Sequence, residues 1–187
     1  MLVTGNEEYH ERARLLRSHG MTALSYEKAK GHSTSYDVID LGFNYRMDDI
    51  HAALGLAQLE KIRADLEKRA AIRRQYIDLL KDTNEIFIPF AKSTEFTSNY
   101  IFTIVLKGSD AEKRDKIRGK LAEEGIQTSV HYPAVHRFSI YREFYSELPL
   151  TDYVADNLIT LPMYSRLSSA DVFYIAGTVK RLIKKVG

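Results

Sequence analysis

The longest uninterrupted run of helix-favouring residues extends from Met47 to about Asp82, and this run restricts the fold more than any other feature. No proline interrupts it, and Asp48 and Asp49 stand in its first turn, where carboxylates complement the helix dipole. Its first half is apolar on two sides, with one stripe formed by Ile50, Ala53, Leu54 and Ala57 and another by Ala52, Leu56, Leu59 and Ile62. Because both apolar faces must be buried away from water, the sequence predicts a long linking helix between two domains or two subunits.

The second half of this helix has a single apolar face, formed by Ile72, Tyr76, Leu79 and Leu80. That pattern is typical of a helix packed against one domain. In the first half, Gly55 has poor helix propensity and therefore indicates a close approach by another backbone.

Downstream of the helix, short strand-like and helix-like segments alternate. The expected elements are strands at Ile86–Ile88, Asn99–Leu106 and Ile126–Val130, a helix from a capping box at Ser109–Glu112 to Gly125, a short helix and a candidate strand within Tyr153–Leu161, and a last helix opened by Ser168 with Asp171. The last helix should bury a face formed by Val172, Ile175, Val179 and Leu182. Such alternation predicts a compact α/β sandwich from about Thr83 onward.

The N-terminal region is less regular. Leu2–Thr4 resembles the tail of a strand, and Asn6 can cap a helix over Glu7–Ser18. From His19 to Tyr45 the sequence is rich in glycine, serine, threonine and aspartate and has no sustained period. A stretch of that length indicates either a functional loop or a misassigned element.

Composition excludes several classes of function. The chain has no cysteine, which excludes disulfides and cysteine-ligated metals, and its histidines show no metal-ligand spacing on one helix. Its 27 basic and 25 acidic side chains give a net charge of +2, too near neutral for a nucleic-acid argument. No apolar run approaches the roughly 20 residues that span a bilayer, and no signal peptide is visible. We therefore expect a soluble cytoplasmic protein without a metal, membrane or nucleic-acid partner.

The residues just before the long helix carry the most functional information. Asn44 and Arg46 precede the helix N-terminus, where an amide and a guanidinium can join backbone N–H groups in binding an oxyanion. On physical grounds a structural alternative has equal weight, in which Asn44 caps the helix and Arg46 lies on the surface.

The surrounding sequence, GFNYRMDDIHAALGLAQL, closely resembles the G-(F/Y)-N-Y-R-M segment and the following helix of the DegT/DnrJ/StrS sugar aminotransferases. Further matches in the family's order are Leu16–Gly20, the H-Y-x-x-x-H stretch at His131–His136 followed by Tyr141, and Leu161–Tyr164. Together these matches cover nearly the whole chain, which makes the resemblance specific.

The resemblance implies an α/β fold of the aspartate aminotransferase type, also called the type I pyridoxal-phosphate-dependent transferase fold. Residues 83–187 would form its small C-terminal domain, and residues 47–82 a linking helix or helix pair. Residues 1–46 would be a remnant of the large cofactor-binding domain together with a loop that reaches the dimer partner.

The resemblance also implies pyridoxal 5'-phosphate as cofactor, a nucleotide-linked keto sugar as substrate and glutamate as amino donor. Asn44 would reach the cofactor phosphate of the other subunit in a homodimer, and Arg46 is a second cofactor-binding candidate in the same segment. His131 and Tyr132 would lie near the sugar-nucleotide end of the pocket, although packing at a domain junction explains them equally well. His136 is a weaker candidate.

One family motif has no counterpart in this chain. The family attaches its cofactor through a lysine in a Ser-x-His-x-x-Lys motif, upstream of the segment that matches Leu16–Gly20, and the sequence contains no such motif. Lys28 and Lys30 lie in a polar loop outside that context. The resemblance therefore implies the C-terminal portion of an aminotransferase that has no catalytic lysine and is inactive alone. A truncated frame, a cut chain or a separate N-terminal half would each explain this.

Two other classes of protein remain as alternatives. The first is a non-catalytic domain that binds a sugar nucleotide or a protein partner, and the sequence immediately upstream of Met1 would distinguish it from a split enzyme. The second, a nucleic-acid-binding regulator, rests only on the pI of 8.6 and the basic run formed by Lys180, Arg181, Lys184 and Lys185. A solvated last helical turn explains that run more simply.

Overall fold

The computed structural model describes residues 2–22 and 36–186. Lys28 and Lys30, with the central part of the predicted loop, lie outside these residues. The chain divides into two compact units, residues 1–60 and residues 61–187. Its elements are α1 (Glu7–Leu16), α2 (Asp49–Leu80), β1 (Ile86–Phe87), β2 (Phe102–Leu106), α3 (Ala111–Glu123), α4 (Pro149–Asn157), β3 (Leu158–Leu161) and α5 (Ser169–Val186), with 3-10 turns at Val135–Arg137 and Ser139–Phe144.

Helix α1 begins where the sequence predicts. The Tyr9 N–H donates a hydrogen bond of 3.1 Å to the side-chain oxygen of Asn6, which is the N-cap. The helix ends at Leu16 rather than at Ser18. The strand predicted at Leu2–Thr4 is wrong, because no segment among the described residues pairs with it.

The residues that follow α1 run antiparallel to the segment that precedes α2. Backbone hydrogen bonds of 2.7–2.9 Å join residues 16–19 to residues 43–45. Ser18, which is almost fully buried, forms a β-bridge with Asn44. Two stretches that resemble the family separately in sequence are therefore in direct contact.

Two glycines permit this close approach. Gly20 has a φ of 69°, and a Cβ atom there would lie 2.0 Å from the Asp40 carbonyl oxygen. A Cβ atom on Gly42 would lie 2.3 Å from the Gly20 nitrogen. Since real Cβ atoms do not approach other atoms so closely, the two segments can dock only with glycine at both positions.

Helix α2 begins at Asp49 rather than at Met47, and Asp48 is its N-cap. The His51 N–H donates to Asp48 Oδ1 at 2.8 Å, and the His51 ring nitrogen Nδ1 lies 2.7 Å from Asp48 Oδ2. The backbone hydrogen bond, followed by the ring contact, lowers the pKa of Asp48 below its usual value. The structural alternative in which Asn44 caps this helix is therefore wrong, because Asp48 occupies that position.

The two halves of α2 differ in burial. Apolar side chains on both stripes of the first half are largely exposed, including Ile50, Leu54, Leu56, Leu59 and Ile62. The predicted face of the second half is buried at Ile72, Tyr76 and Leu80. The first half therefore presents apolar surface that the described chain does not cover.

We expect Gly55→Ala to stabilise this first half in the isolated chain at low concentration, where no other polypeptide covers it. Outside its own turn of helix, a Cβ atom at Gly55 would meet no described atom within 4 Å, and alanine favours a helix over glycine by about 0.5–1 kcal/mol. Hydrogen exchange of the amides around residue 55 measures this gain. Gly177→Ala, in similarly open space on α5, is the control. Faster amide exchange around residue 55 in Gly55→Ala than in the unmodified chain, without a matching change around residue 177 in Gly177→Ala, would contradict the expectation. It would indicate that another backbone packs on Gly55.

The second unit contains a three-stranded antiparallel sheet in the order β1-β2-β3. Ile126–Val130, predicted as a strand, is not one, and it contributes only the isolated bridge between Ser129 and Thr160. The neighbouring Thr128 carbonyl accepts a hydrogen bond of 3.2 Å from the Arg118 side chain rather than from another strand.

The capping pattern of the second unit agrees with the sequence at one helix and differs at another. Helix α3 is capped by Asp110 rather than by Ser109, and the Asp110 carboxylate accepts from the Lys113 N–H at 2.8 Å. A carboxylate is the stronger partner for the helix dipole. At the start of α5, the N–H groups of Ser168 and Asp171 each donate to the other's side chain at 3.1 Å, as predicted.

The core of the second unit combines side chains from α2, the sheet, α3 and α5. Tyr76 is fully buried, and its ring stacks on Phe102 with centroids 4.7 Å apart. Its hydroxyl donates to the Pro162 carbonyl at 3.0 Å, which satisfies the buried O–H group. The predicted face of α5 is buried at Val172, Ile175, Val179 and Leu182. None of the described helices is both long and apolar enough to cross a membrane.

Candidate functional site

Asn44 and Arg46 form an exposed pair of polar side chains in the first unit. Arg46 Nε donates to the Asn44 side-chain oxygen at 2.9 Å. This bond uses the acceptor of the Asn44 amide, so that its NH2 group is left to act as a donor beside the guanidinium. An amide NH2 group next to a guanidinium is a donor set suited to an oxyanion.

The local backbone explains why these two side chains lie together. Residues two apart in an extended segment point to the same side, so Asn44 and Arg46 share one side and Phe43 and Tyr45 the other. The rings of Phe43 and Tyr45 stack with centroids 5.0 Å apart and an interplanar angle of 11°. The β-bridge between Asn44 and Ser18 fixes the backbone at the same place.

The Asn44–Arg46 pair fits one part of the cofactor that the sequence implies. The phosphate of pyridoxal 5'-phosphate is an oxyanion, and both side chains present N–H donors at an exposed position. The chain contains no Ser-x-His-x-x-Lys motif to attach the other end of the cofactor. The residues present therefore fit the phosphate and not the covalent attachment.

His131 and Tyr132 form a second group, in the second unit. Their rings meet edge to face, with centroids 4.8 Å apart and an interplanar angle of 79°. The His131 ring nitrogen Nδ1 lies 3.0 Å from the Thr160 hydroxyl oxygen. A hydrogen bond between the hydroxyls of Tyr132 and Tyr100 raises the pKa of Tyr100 above its usual value. We call these four residues the His131 cluster.

His131 lies in the walls of two cavities. One has a volume of about 720 Å³ and is lined by Tyr100, Thr128, Thr160, Tyr164, Asp171 and Tyr174 among others. The other has a volume of about 1000 Å³, and its lining is mostly apolar between residues 132 and 158. Both volumes are in the range of small-molecule binding sites. The His131 cluster therefore places ring and hydroxyl groups where a small ligand can reach them.

His136, the weaker candidate, contacts a network formed by Arg137, Asp152 and Asp156. Its Nε2 atom lies 3.0 Å from Asp152 Oδ1, and Arg137 Nε lies 2.5 Å from the same oxygen. Arg137 also donates to both carboxylate oxygens of Asp156, at 2.7 and 3.0 Å, and this bidentate contact lowers the pKa of Asp156. The contacts tie the turn at Val135–Arg137 to α4, which is a structural role for His136.

Two members of the His131 cluster were not among the sequence candidates. Thr160 is in the middle of β3, where the sequence reads simply as a buried strand, and Tyr100 precedes β2 as an ordinary aromatic residue. A weak signal exists for Thr160, since a hydroxyl in an otherwise aliphatic strand needs a hydrogen-bond partner. Nothing in the sequence indicates that His131 is the hydrogen-bond partner of the Thr160 hydroxyl.

The sequence candidates thus fall into two pairs, Asn44 with Arg46 in the first unit and His131 with Tyr132 in the second. The described residues also include one group with ligand atoms within 4.8 Å of one another, formed by Glu7, His10 and Glu11 on α1. All three side chains are exposed, and no second feature marks an ion site there.

Comparison with known proteins covers almost the whole chain. Residues 1–180 match the DegT/DnrJ/EryC1/StrS aminotransferase family. A UDP-4-amino-4,6-dideoxy-N-acetyl-beta-L-altrosamine transaminase of Campylobacter jejuni is 30% identical over 99% of this chain and 48% of its own length. An uncharacterized protein of Methanocaldococcus jannaschii is 26% identical over 99% of this chain and 50% of its own length.

Solved structures show the same relation. Helicobacter pylori PseC, an aminotransferase of pseudoaminic acid biosynthesis, superposes with a TM-score of 0.87 at 26% identity, over 98% of this chain and 48% of its own. The putative sugar aminotransferase Spr1654 of Streptococcus pneumoniae, in its PMP form, superposes with a TM-score of 0.86 at 29% identity, over 98% and 47%. The chain spans about half the length of these relatives. It belongs to the DegT/DnrJ/EryC1/StrS aminotransferase family.

Proposed function

We propose that this chain is the C-terminal portion of a pyridoxal-phosphate-dependent aminotransferase that acts on a nucleotide-linked keto sugar with glutamate as amino donor. The Asn44–Arg46 pair is the observation that supports it most directly, because an exposed amide and guanidinium are paired where the family resemblance expects a phosphate. Support also comes from the UDP-sugar transaminase relative and from the PLP and PMP forms of Spr1654.

In this proposal the chain binds the cofactor phosphate and orients the substrate, but it does not attach the cofactor covalently. Asn44 and Arg46 hold the phosphate through N–H donors, and His131 and Tyr132 orient the sugar nucleotide. When bound, the cofactor supplies an electron sink for moving the amino group. The lysine that attaches it must come from residues outside this sequence, on the same polypeptide or on another one, and we use "completed enzyme" for this chain together with those residues.

Coexpression with the polypeptide encoded immediately upstream tests the proposal. We expect that polypeptide to contain Ser-x-His-x-x-Lys, to copurify with this chain and to bind pyridoxal phosphate. The pair should consume glutamate only when a nucleotide-linked keto sugar is present. An upstream frame without the motif would contradict the proposal and favour a non-catalytic binding domain.

The exposed stripes of α2 suggest where the rest of the enzyme binds. Exposed apolar side chains line both faces of its first half, and large apolar patches rarely persist on monomers. We therefore propose that this half of α2 is covered by the N-terminal half and by the dimer partner in the completed enzyme.

This surface should make the isolated chain self-associate. We expect sedimentation velocity to show concentration-dependent dimers or larger species, because association removes the stripes from water. Leu56→Glu with Leu59→Glu should shift the population towards monomer. The same change at Phe173, an exposed side chain on α5, is the control and should leave association unaltered. A monomer at high concentration in the unmodified chain would contradict this surface.

A further inference from the structure

The Thr160 hydroxyl is a buried polar group on a strand that otherwise carries aliphatic side chains. Successive side chains of β3 point to opposite faces of the sheet, and Ile159 and Leu161 belong to the hydrophobic core. Thr160 therefore points to the other face, where it is only 4% exposed. Its backbone is held there by two hydrogen bonds with Ser129, of 2.8 and 3.1 Å.

The hydrogen bond between Thr160 and His131 has a preferred direction. Among the described residues, His131 Nδ1 at 3.0 Å is the partner of the Thr160 hydroxyl. A buried O–H group that finds no acceptor costs about 1–3 kcal/mol, so the Thr160 proton points to Nδ1. A neutral imidazole that accepts at Nδ1 carries its own proton on Nε2.

The other edge of the His131 ring is available to a ligand. Nε2 makes no hydrogen bond to any of the described residues, and His131 lines both the 720 Å³ and the 1000 Å³ cavity. The Tyr132 ring packs on the His131 ring in an edge-to-face contact. The imidazole is therefore held by two neighbours, Thr160 at Nδ1 and the ring of Tyr132. The Nε2–H group is then a donor in a fixed direction.

We propose that Thr160 is a positioning residue that keeps the proton of His131 on Nε2 and directs this N–H group at an oxygen atom of the substrate. The inference rests on the proposed function in one respect, namely that His131 contacts the nucleotide-linked sugar. It adds a residue that acts through His131, because the Thr160 hydroxyl is engaged with His131 Nδ1. The ligand chemistry that it selects is an acceptor oxygen, such as a hydroxyl, carbonyl or phosphoryl oxygen.

Nitrogen NMR of the isolated full chain tests the positioning. In ¹⁵N-histidine-labelled protein at alkaline pH, the two ring nitrogens of His131 should show the Nε2–H form. Thr160→Val removes the hydroxyl at nearly constant volume and should mix the two tautomers, whereas Thr160→Ser should retain the original form. Thr103→Val is the matched control, because Thr103 is the partner of Thr160 on β2. Unchanged ring shifts in Thr160→Val would overturn the proposal.

Kinetics of the completed enzyme test the connection to the substrate. Thr160→Val should raise the KM for the sugar nucleotide about two- to tenfold with kcat nearly unchanged, and Thr160→Ser should restore it. His131→Phe should raise KM at least as much. If His131→Phe leaves KM unchanged while Thr160→Val alters the tautomers, the substrate role of His131 is wrong and the positioning of its ring is retained. If His131→Phe raises KM and Thr160→Val does not, the positioning proposal is wrong.

Discussion

Purified alone, this chain should transfer no amino group to a nucleotide-linked keto sugar, and it should take up no stoichiometric pyridoxal phosphate on a lysine. The reason is chemical, because the reaction needs an amine of lowered pKa held against the cofactor, and the sequence lacks the Ser-x-His-x-x-Lys motif that would supply it. Incubation with the cofactor, reduction with borohydride and peptide mass spectrometry measure the adducts.

Scattered, substoichiometric adducts on exposed lysines are the expected background of this experiment. The completed enzyme is the positive control, and one dominant adduct should appear on its motif lysine. A single stoichiometric adduct in the isolated chain, accompanied by turnover of a keto sugar, would show that the chain supplies its own catalytic lysine. Lys28 and Lys30 are the residues to inspect first in that case, because they lie in the predicted functional loop.

Asn44→Ala should weaken pyridoxal phosphate binding by the completed enzyme roughly ten- to a hundredfold. One hydrogen bond to a charged group contributes about 1.5–3 kcal/mol, which corresponds to that change in affinity. The substitution also removes the oxygen that accepts from Arg46 Nε, so the guanidinium loses one of its contacts. Cofactor affinity is measured by titration, from the change in cofactor absorbance.

The structure provides a matched control for this prediction. Asp48, rather than Asn44, caps α2, and Asp48→Ala should therefore lower the melting temperature without changing cofactor affinity. Asn44→Ala should show the opposite pattern, with weaker cofactor binding and an unaltered second unit. Equal cofactor affinity in Asn44→Ala and in the unmodified enzyme would exclude Asn44 from the phosphate site.

Local sequence patterns predicted much of the secondary structure. The caps at Asn6 and Ser168, the long α2 helix and the buried face of α5 follow from periodicity and from capping chemistry that act within a few residues. Errors occurred where a tertiary contact competes with a local preference. Ile126–Val130 has the composition of a strand, yet the Arg118 side chain bonds to the Thr128 carbonyl in its middle.

The family and the candidate residues were also accessible from sequence, because motifs record side-chain identity in order along the chain. The tertiary contacts that give those residues a role could not be predicted from the sequence. Ser18 bridges Asn44, and Thr160 bonds to His131, across separations of many residues that no local period encodes. Likewise, only the structure shows that glycine is required at positions 20 and 42, where two backbones meet. Local periodicity and motif order were enough to predict the helices, the family and the absence of the lysine motif from this chain, whereas tertiary packing decided the strand pairing and which side chains meet.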